Sequence, residues 1–157
     1  ERTWMADGQQ VLAVSHSFHL PYAEHAERTL GENGKSQRVS YVTHHQLMQP
    51  TVVREMLRAA AGGSNADGFL DRGLVAWILG ADYSEGAALA EYHSYGTWIM
   101  NTAPCSATLV RWGNVEVASA PLIARSDDEA ENLLNILRSE YPRSWSVSFH
   151  HYLGTPR

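Results

Sequence analysis

The chain of 157 residues is 44% hydrophobic and 18% charged, with a net charge of −5 and an estimated pI of 5.9. That length matches one domain able to bury a core without staples, and the composition is that of a soluble globular protein, which excludes an intrinsically disordered chain. The mild acidity and scattered Lys and Arg argue against a surface built for phosphate backbones, and the acidic excess is too small for a nucleic-acid mimic.

One cysteine, Cys105, rules out an intrachain disulfide, which fits a reducing compartment. The longest apolar run, Leu74 to Leu79, is far shorter than the ~20 residues of a membrane-spanning helix. No charged-then-apolar leader opens the sequence at Glu1. The default expectation is a cytoplasmic protein, although a leader removed before residue 1 would leave no trace.

Residues 1–10 read as an extended lead-in. Val11 to Phe18 is short and rich in β-formers, with Leu12, Val14, His16 and Phe18 on the more apolar face. Pro21 suits the first turn of a helix carrying Ala23, Ala26 and Leu30, stopped by Gly31 and followed by a polar loop over 32–35. On this pattern His25 falls on the polar, solvated side. Arg38 to His44 fits a second strand. Pro50 and Thr51 open a helix with Val53, Met56, Leu57 and Ala60 on one face, ended by Gly62-Gly63. The polar stretch Ser64 to Asp67 is the expected sub-boundary, and Asp67 a reasonable N-cap for a third helix bearing Leu70, Leu74, Trp77, Ile78 and Ala81.

From about Ala87 the period reads as alternating, so strands are expected through the stretch that begins at Leu89. Gly113-Asn114 lies between two β-rich runs and predicts a two-residue hairpin, with Trp112 opposite Val115, Arg111 opposite Glu116 and Val110 opposite Val117. Ser126 and Glu129 form a capping box, with Asp127 and Asp128 adding negative charge to the first turn of a helix that runs to Pro142. A closing strand follows, with Trp145, Val147, Phe149, His151 and Leu153 on one face. No internal repeat, low-complexity tract or coiled-coil register is present. The fold expected is α+β: a single domain over 1–157 with a mainly antiparallel sheet and helices packed on one face.

Chemistry could sit on the eight histidines. Imidazole is the usual acid or base near neutral pH and the commonest metal ligand. His16 and His151 share the apolar register of their strands near the C-terminal ends, so they could converge if those strands are neighbours. Two such imidazoles can perform acid and base steps on a phosphodiester. Enzymes of that type carry a hydroxyl residue two positions after each histidine, where this chain has Phe18 and Leu153. His93 shares a strand face with Glu91 and Tyr95 on the alternating reading and completes the catalytic candidates. His16 and His19 form a weak metal pair without the spacing of a zinc helix. Each of these histidines also has a plainer explanation in burial or solvation.

Phosphate-loop and dinucleotide glycine patterns are absent, as are the serine elbow and the calcium-loop spacing. Cys105 has no marked helix start or base beside it to activate a thiol. The cluster around Tyr92 and Tyr95, extended by Trp98 and Trp112, offers the residue types enriched at interfaces. The expectation is therefore a non-catalytic binding or regulatory domain acting through an aromatic-rich sheet face, without a cofactor. Its partner would be a protein or small molecule rather than nucleic acid or membrane, and a homo-oligomer is compatible. The alternative is a small histidine-dependent hydrolase, phosphodiesterase-like or assisted by a divalent metal.

Overall fold

The computed structural model describes residues 5–6, 8–15, 18–43, 45–63, 68–84, 89–118, 126–140, 142 and 146–150. Contacts divide the chain into two units, Glu1–Arg111 and Trp112–Arg157. In the first unit a short strand β1 (Met5–Ala6) turns back antiparallel onto β2 (Gln9–Val14), with Met5 opposite Gln10. The other neighbour of β2 is β3 (Ala107–Arg111), parallel to it and in register from Gln10–Ala107 to Val14–Arg111. Parallel strands need a long crossover. Here the crossover is nearly the whole unit: α1 (Leu20–Leu30), a 3₁₀ turn (Gly31–Gly34), α2 (Pro50–Ala60), α3 (Phe69–Leu79), α4 (Glu91–Thr102) and a second 3₁₀ turn (Pro104–Ser106).

Local signals explain the first three helices. Pro21 and Pro50 fall in the first turns of α1 and α2, where a missing N–H costs nothing. Ala23, Ala26 and Leu30 are buried along one side of α1, as their spacing predicts, but His25 is also fully buried, not solvated. The cause is α3. The His25 Nε2–H donates to the Trp77 carbonyl at 2.7 Å, and the Arg28 Nε–H donates to the Gly80 carbonyl at 2.9 Å. Close approach also sets α3 against α2, because a Cβ on Gly73 would stand 2.1 Å from the Leu57 carbonyl oxygen. Asp67, the expected cap of α3, lies outside the described residues, as does the whole 64–67 linker.

Three expectations are corrected. Residues 91–102, read as strand, form α4, in which every residue from His93 to Ile99 is buried. A helix enclosed on all sides shows no apolar stripe, and its aromatic and β-branched residues imitate strand composition. Residues 38–43, the described part of the expected strand Arg38 to His44, do not form one; they contribute a single antiparallel bridge, Ser15 with Ser40, closed by Ser15 N–H to Ser40 O at 2.8 Å. The hairpin at Gly113-Asn114 does not pair its arms either. β3 belongs to β2, whereas β4 (Asn114–Ala118) pairs with β5 (Ser146–His150).

The second unit is a β-α-β segment. β4 and β5 run parallel from Asn114–Ser146 to Ala118–His150, with α5 (Asp127–Glu140) between them in sequence. Its capping serine behaves as the sequence predicts, since Ser126 Oγ accepts the Glu129 N–H at 3.3 Å. The fold is α+β; among the described residues there are five α-helices, and the mainly antiparallel sheet is replaced by two small sheets, each containing a parallel pair. Side-chain alternation sets which way a strand's residues face and does not encode its partner.

The core of the first unit lies between β2 and α4. Leu12, Tyr41, Tyr95 and Ile99 form one buried cluster, and Leu30, Met56 and Trp98 form another. A polar knot crosses the first. Tyr95 donates its hydroxyl proton to Gln10 Oε1 at 2.8 Å and accepts the Gln49 N–H at 2.8 Å, while Gln49 Nε2 donates to Gln10 Oε1 at 2.9 Å. The same Gln10 donates from Nε2 to the Leu47 carbonyl. This knot ties β2, the start of α2 and α4 together with each polar group satisfied by another, the condition for burying such groups without large cost.

Candidate functional site

A groove of about 660 Å³ runs along α1 in the first unit. Phe18, Leu20 and Ala23 give it an apolar lining. Glu24 and Glu27, one helical turn apart, supply carboxylates from α1, and Lys35, Ser36 and Arg38 supply the opposite side. The chain reaches that side through the Gly31–Gly34 turn, and α4 holds it there. Asn101 Nδ2 donates to the carbonyls of Lys35 at 2.8 Å and Asn33 at 3.1 Å.

Charge is divided across the groove. Lys35 Nζ sits 2.7 Å from Glu32 Oε2, and its ammonium is held above the usual range by that hydrogen bond and by the charges of Glu32 and Glu27. Arg38 has no ion-pair partner among the described residues. It is also the one non-glycine among them with a left-handed backbone, at φ 59°. That conformation costs an ordinary residue roughly 1–2 kcal/mol. Its N–H is returned to Ser36 Oγ at 3.3 Å. Strain of this kind persists where the surroundings over-determine it, and it clusters at ligand clamps.

Behind the groove lies His93. Its ring is 1% exposed and meets the half-exposed Phe18 ring edge-on at 6.2 Å and the Tyr41 ring at 5.9 Å. Burial pushes the imidazole down to about 4 and the Tyr41 phenol up to about 12. His93 is thus neutral at physiological pH. Its Nε2 has no hydrogen-bond partner, and neither has the buried Thr97 Oγ1 one turn further along α4. Gly96 between them lets Tyr41 lie on the helix, for a Cβ there would stand 2.2 Å from the ring.

The remaining candidates are scattered. Among the aromatics expected on a sheet face, Tyr92, Tyr95 and Trp98 are on α4 instead. Tyr95 is wholly buried in the polar knot and Trp98 is 9% exposed, beside a smaller groove of about 380 Å³ that also touches Thr51 and Glu55. Tyr92 is half-buried, and so is Trp112 in the second unit. His19 precedes α1 and packs its ring on Tyr22 at 4.4 Å. His16 and His151 lie outside the described residues. Among the described residues no three His, Cys, Asp or Glu side chains come together as a metal site. No helix there is long and apolar enough to cross a membrane.

Glu24, Glu27, Ser36 and Arg38 carried no functional signal in the sequence. A pair of glutamates three apart on a short helix reads as a solvated face, and Ser36 and Arg38 read as a loop and the start of a strand. The 3₁₀ turn, packed through Gly34 on α1, and the hydrogen bonds of Asn101 bring the two sides opposite each other. Comparison of the chain with protein-family models, curated proteins and solved structures gave no match.

Proposed function

We propose that this protein is a non-catalytic binding domain whose site is the α1 groove, and that its ligand is a small zwitterion or short peptide with an apolar side chain. The observation that supports this reading is the groove's division into an apolar lining, a carboxylate side at Glu24 and Glu27, and a cationic side ending in the strained, unpaired Arg38. An ammonium group facing the glutamates and a carboxylate facing Arg38 would each meet an opposite charge, while Phe18 and Ala23 take the apolar part. The groove also has a volume in the range that small-ligand sites occupy. The aromatic-rich sheet face has no place in this reading, because Tyr92, Tyr95 and Trp98 are on a helix, with Tyr95 and Trp98 inside its packing, and Trp112 belongs to the other unit.

Titration of the ¹⁵N-labelled protein with glycyl-leucine tests the proposal. The amide signals of Phe18, Glu27, Ser36 and Arg38 should move together and saturably. Arg38→Ala should bind about fivefold more weakly, since a solvent-edged charge contact is worth up to ~1 kcal/mol. Shifts confined to other parts of the chain, or an affinity indifferent to Arg38→Ala, would overturn it.

A further inference from the structure

Two buried polar atoms on α4, His93 Nε2 and Thr97 Oγ1, have no hydrogen-bond partner among the described residues. His93, Thr97 and Asn101 follow one another at intervals of four residues, so they form one ridge of the helix. Asn101 holds the Lys35–Arg38 side of the groove by the carbonyls of Asn33 and Lys35. At the other end of the ridge, His93 lies against Phe18, which lines the groove. Phe18 therefore touches the groove on one side and the His93 imidazole on the other.

Leaving a buried donor or acceptor unmade costs about 1–3 kcal/mol. Native interiors rarely carry such an atom without a reason. Two of them, His93 Nε2 and Thr97 Oγ1, belong to residues one turn apart on the same ridge of α4. Neither is needed to hold the helix. Ser94, on the same helix, already receives the Trp77 indole N–H at 3.3 Å, and Tyr95 is in the polar knot.

We propose that the groove and the His93–Thr97 pair are one site, partitioned by the Phe18 ring, and that its ligand is an amino acid or short peptide whose aromatic side chain ends in a hydroxyl. The ligand's charged groups stay at the mouth, its ring takes the space that Phe18 vacates by rotating, and its hydroxyl bridges His93 Nε2 and Thr97 Oγ1. This rests on the groove being a ligand site and adds to it a depth and a specificity. A pocket that hydrogen-bonds a hydroxyl rejects the analogue lacking it, because its own polar groups are then left unpaired.

Glycyl-tyrosine and glycyl-phenylalanine, titrated separately into the labelled protein, provide the test. Glycyl-tyrosine should bind about tenfold more tightly, the worth of one well-made buried hydrogen bond, and should move the His93 ring ¹⁵N signals. In Thr97→Val, which removes an unpartnered hydroxyl and leaves the shape of the site, the preference should collapse while glycyl-phenylalanine binds as before. Thermal unfolding of that variant should be no lower than wild type, which separates a lost contact from a lost fold. Equal binding of the two dipeptides at the groove, with the His93 signals unmoved, overturns the inner subsite and leaves the groove reading intact. Absence of any shift at Phe18, Ser36 and Arg38 with either peptide overturns both.

Discussion

Helices α3 and α4 are nearly equal in length, and their compositions suggest opposite fates. α3 is Phe69-Leu70-Asp71-Arg72-Gly73-Leu74-Val75-Ala76-Trp77-Ile78-Leu79, apolar almost all round, yet Leu74, Val75, Ile78 and Leu79 are all exposed, Leu79 by 74%. α4 carries Glu, His, Ser, Thr and Asn among its residues, yet every residue from His93 to Ile99 is buried. The difference lies in what each helix touches. Among the described residues α3 is fastened by Gly73 against Leu57, by the carbonyls of Trp77 and of its cap Gly80 to His25 and Arg28, and by the Trp77 indole to Ser94, which leaves Leu74, Val75, Ile78 and Leu79 in solvent. α4 is surrounded, and its polar side chains are spent on neighbours at Gln10, Gln49, Trp77, Asn33 and Lys35, except at His93 and Thr97. Hydrophobicity of a segment says how much burial would help it; the neighbours decide how much it gets.

The contrast can be broken most forcefully at Gly96. Gly96→Val forces a branched side chain into the Tyr41 ring, and overpacking on this scale should cost about 3 kcal/mol or more of unfolding free energy in urea titrations. A loss below about 1 kcal/mol would mean that Tyr41 can retreat and that α4 is less confined than its burial indicates.

Acid provides a second probe. His93 and His25 are both held below their ordinary range by burial, with the Trp77 hydrogen bond partly opposing the effect at His25 and the Arg28 charge adding to it. In the unfolded chain both titrate near 6.5. Above that value neither state binds the proton and the stability is fully present. As pH falls from about 6.5 towards about 4, the unfolded state takes up the proton that folded His93 refuses, so stability drops by up to ~1.4 kcal/mol per pH unit from His93, and His25 contributes a fall in the same direction. Below the folded value the loss from His93 levels off. Urea midpoints between pH 7.5 and 4 should show this slope, and His93→Phe should remove one proton's share of it; an unchanged slope in that variant would show that His93 titrates freely.

The smallest effect belongs to α3. Leu79→Ser should change stability by no more than about 0.5 kcal/mol, because the side chain is already in water. A destabilisation of 2 kcal/mol or more, on the scale of a buried leucine, would show that the exposed face is covered in solution. Gly96→Val and Leu79→Ser together ask whether the polar helix is the interior one and the apolar helix the peripheral one.

Much of the first three helices and of α5 was legible because their signals are local. Prolines at first turns, glycines at ends, and the serine that caps α5 act within a few residues of themselves. The misreading of 91–102 has an equally physical source. Tyr92, Tyr95 and Trp98 recur every three residues, a helical interval, but the intervening His93, Ser94 and Thr97 are core residues with polar side chains, so no polar face marked the period. The site was less legible still. His93 stood out by its chemistry, but nothing in the order of residues connects it with Phe18, and the carboxylates of α1 had no visible counterpart.

The sequence by itself determined where most helices begin and end, that the stretch from Val11 and the run before Gly113 favour extended backbone, and that the chain has the apolar content for a core. Those are outcomes of torsional preference, capping and short-range periodicity. Only the tertiary structure decided that β3 pairs with β2 and β4 with β5, that α4 is a helix with a polar interior face, and that Glu24 and Glu27 stand across a groove from Lys35 and Arg38. Each of those depends on segments far apart in the chain. Their contacts are selected by burial and hydrogen-bond satisfaction over the whole unit, which no local window of residues records.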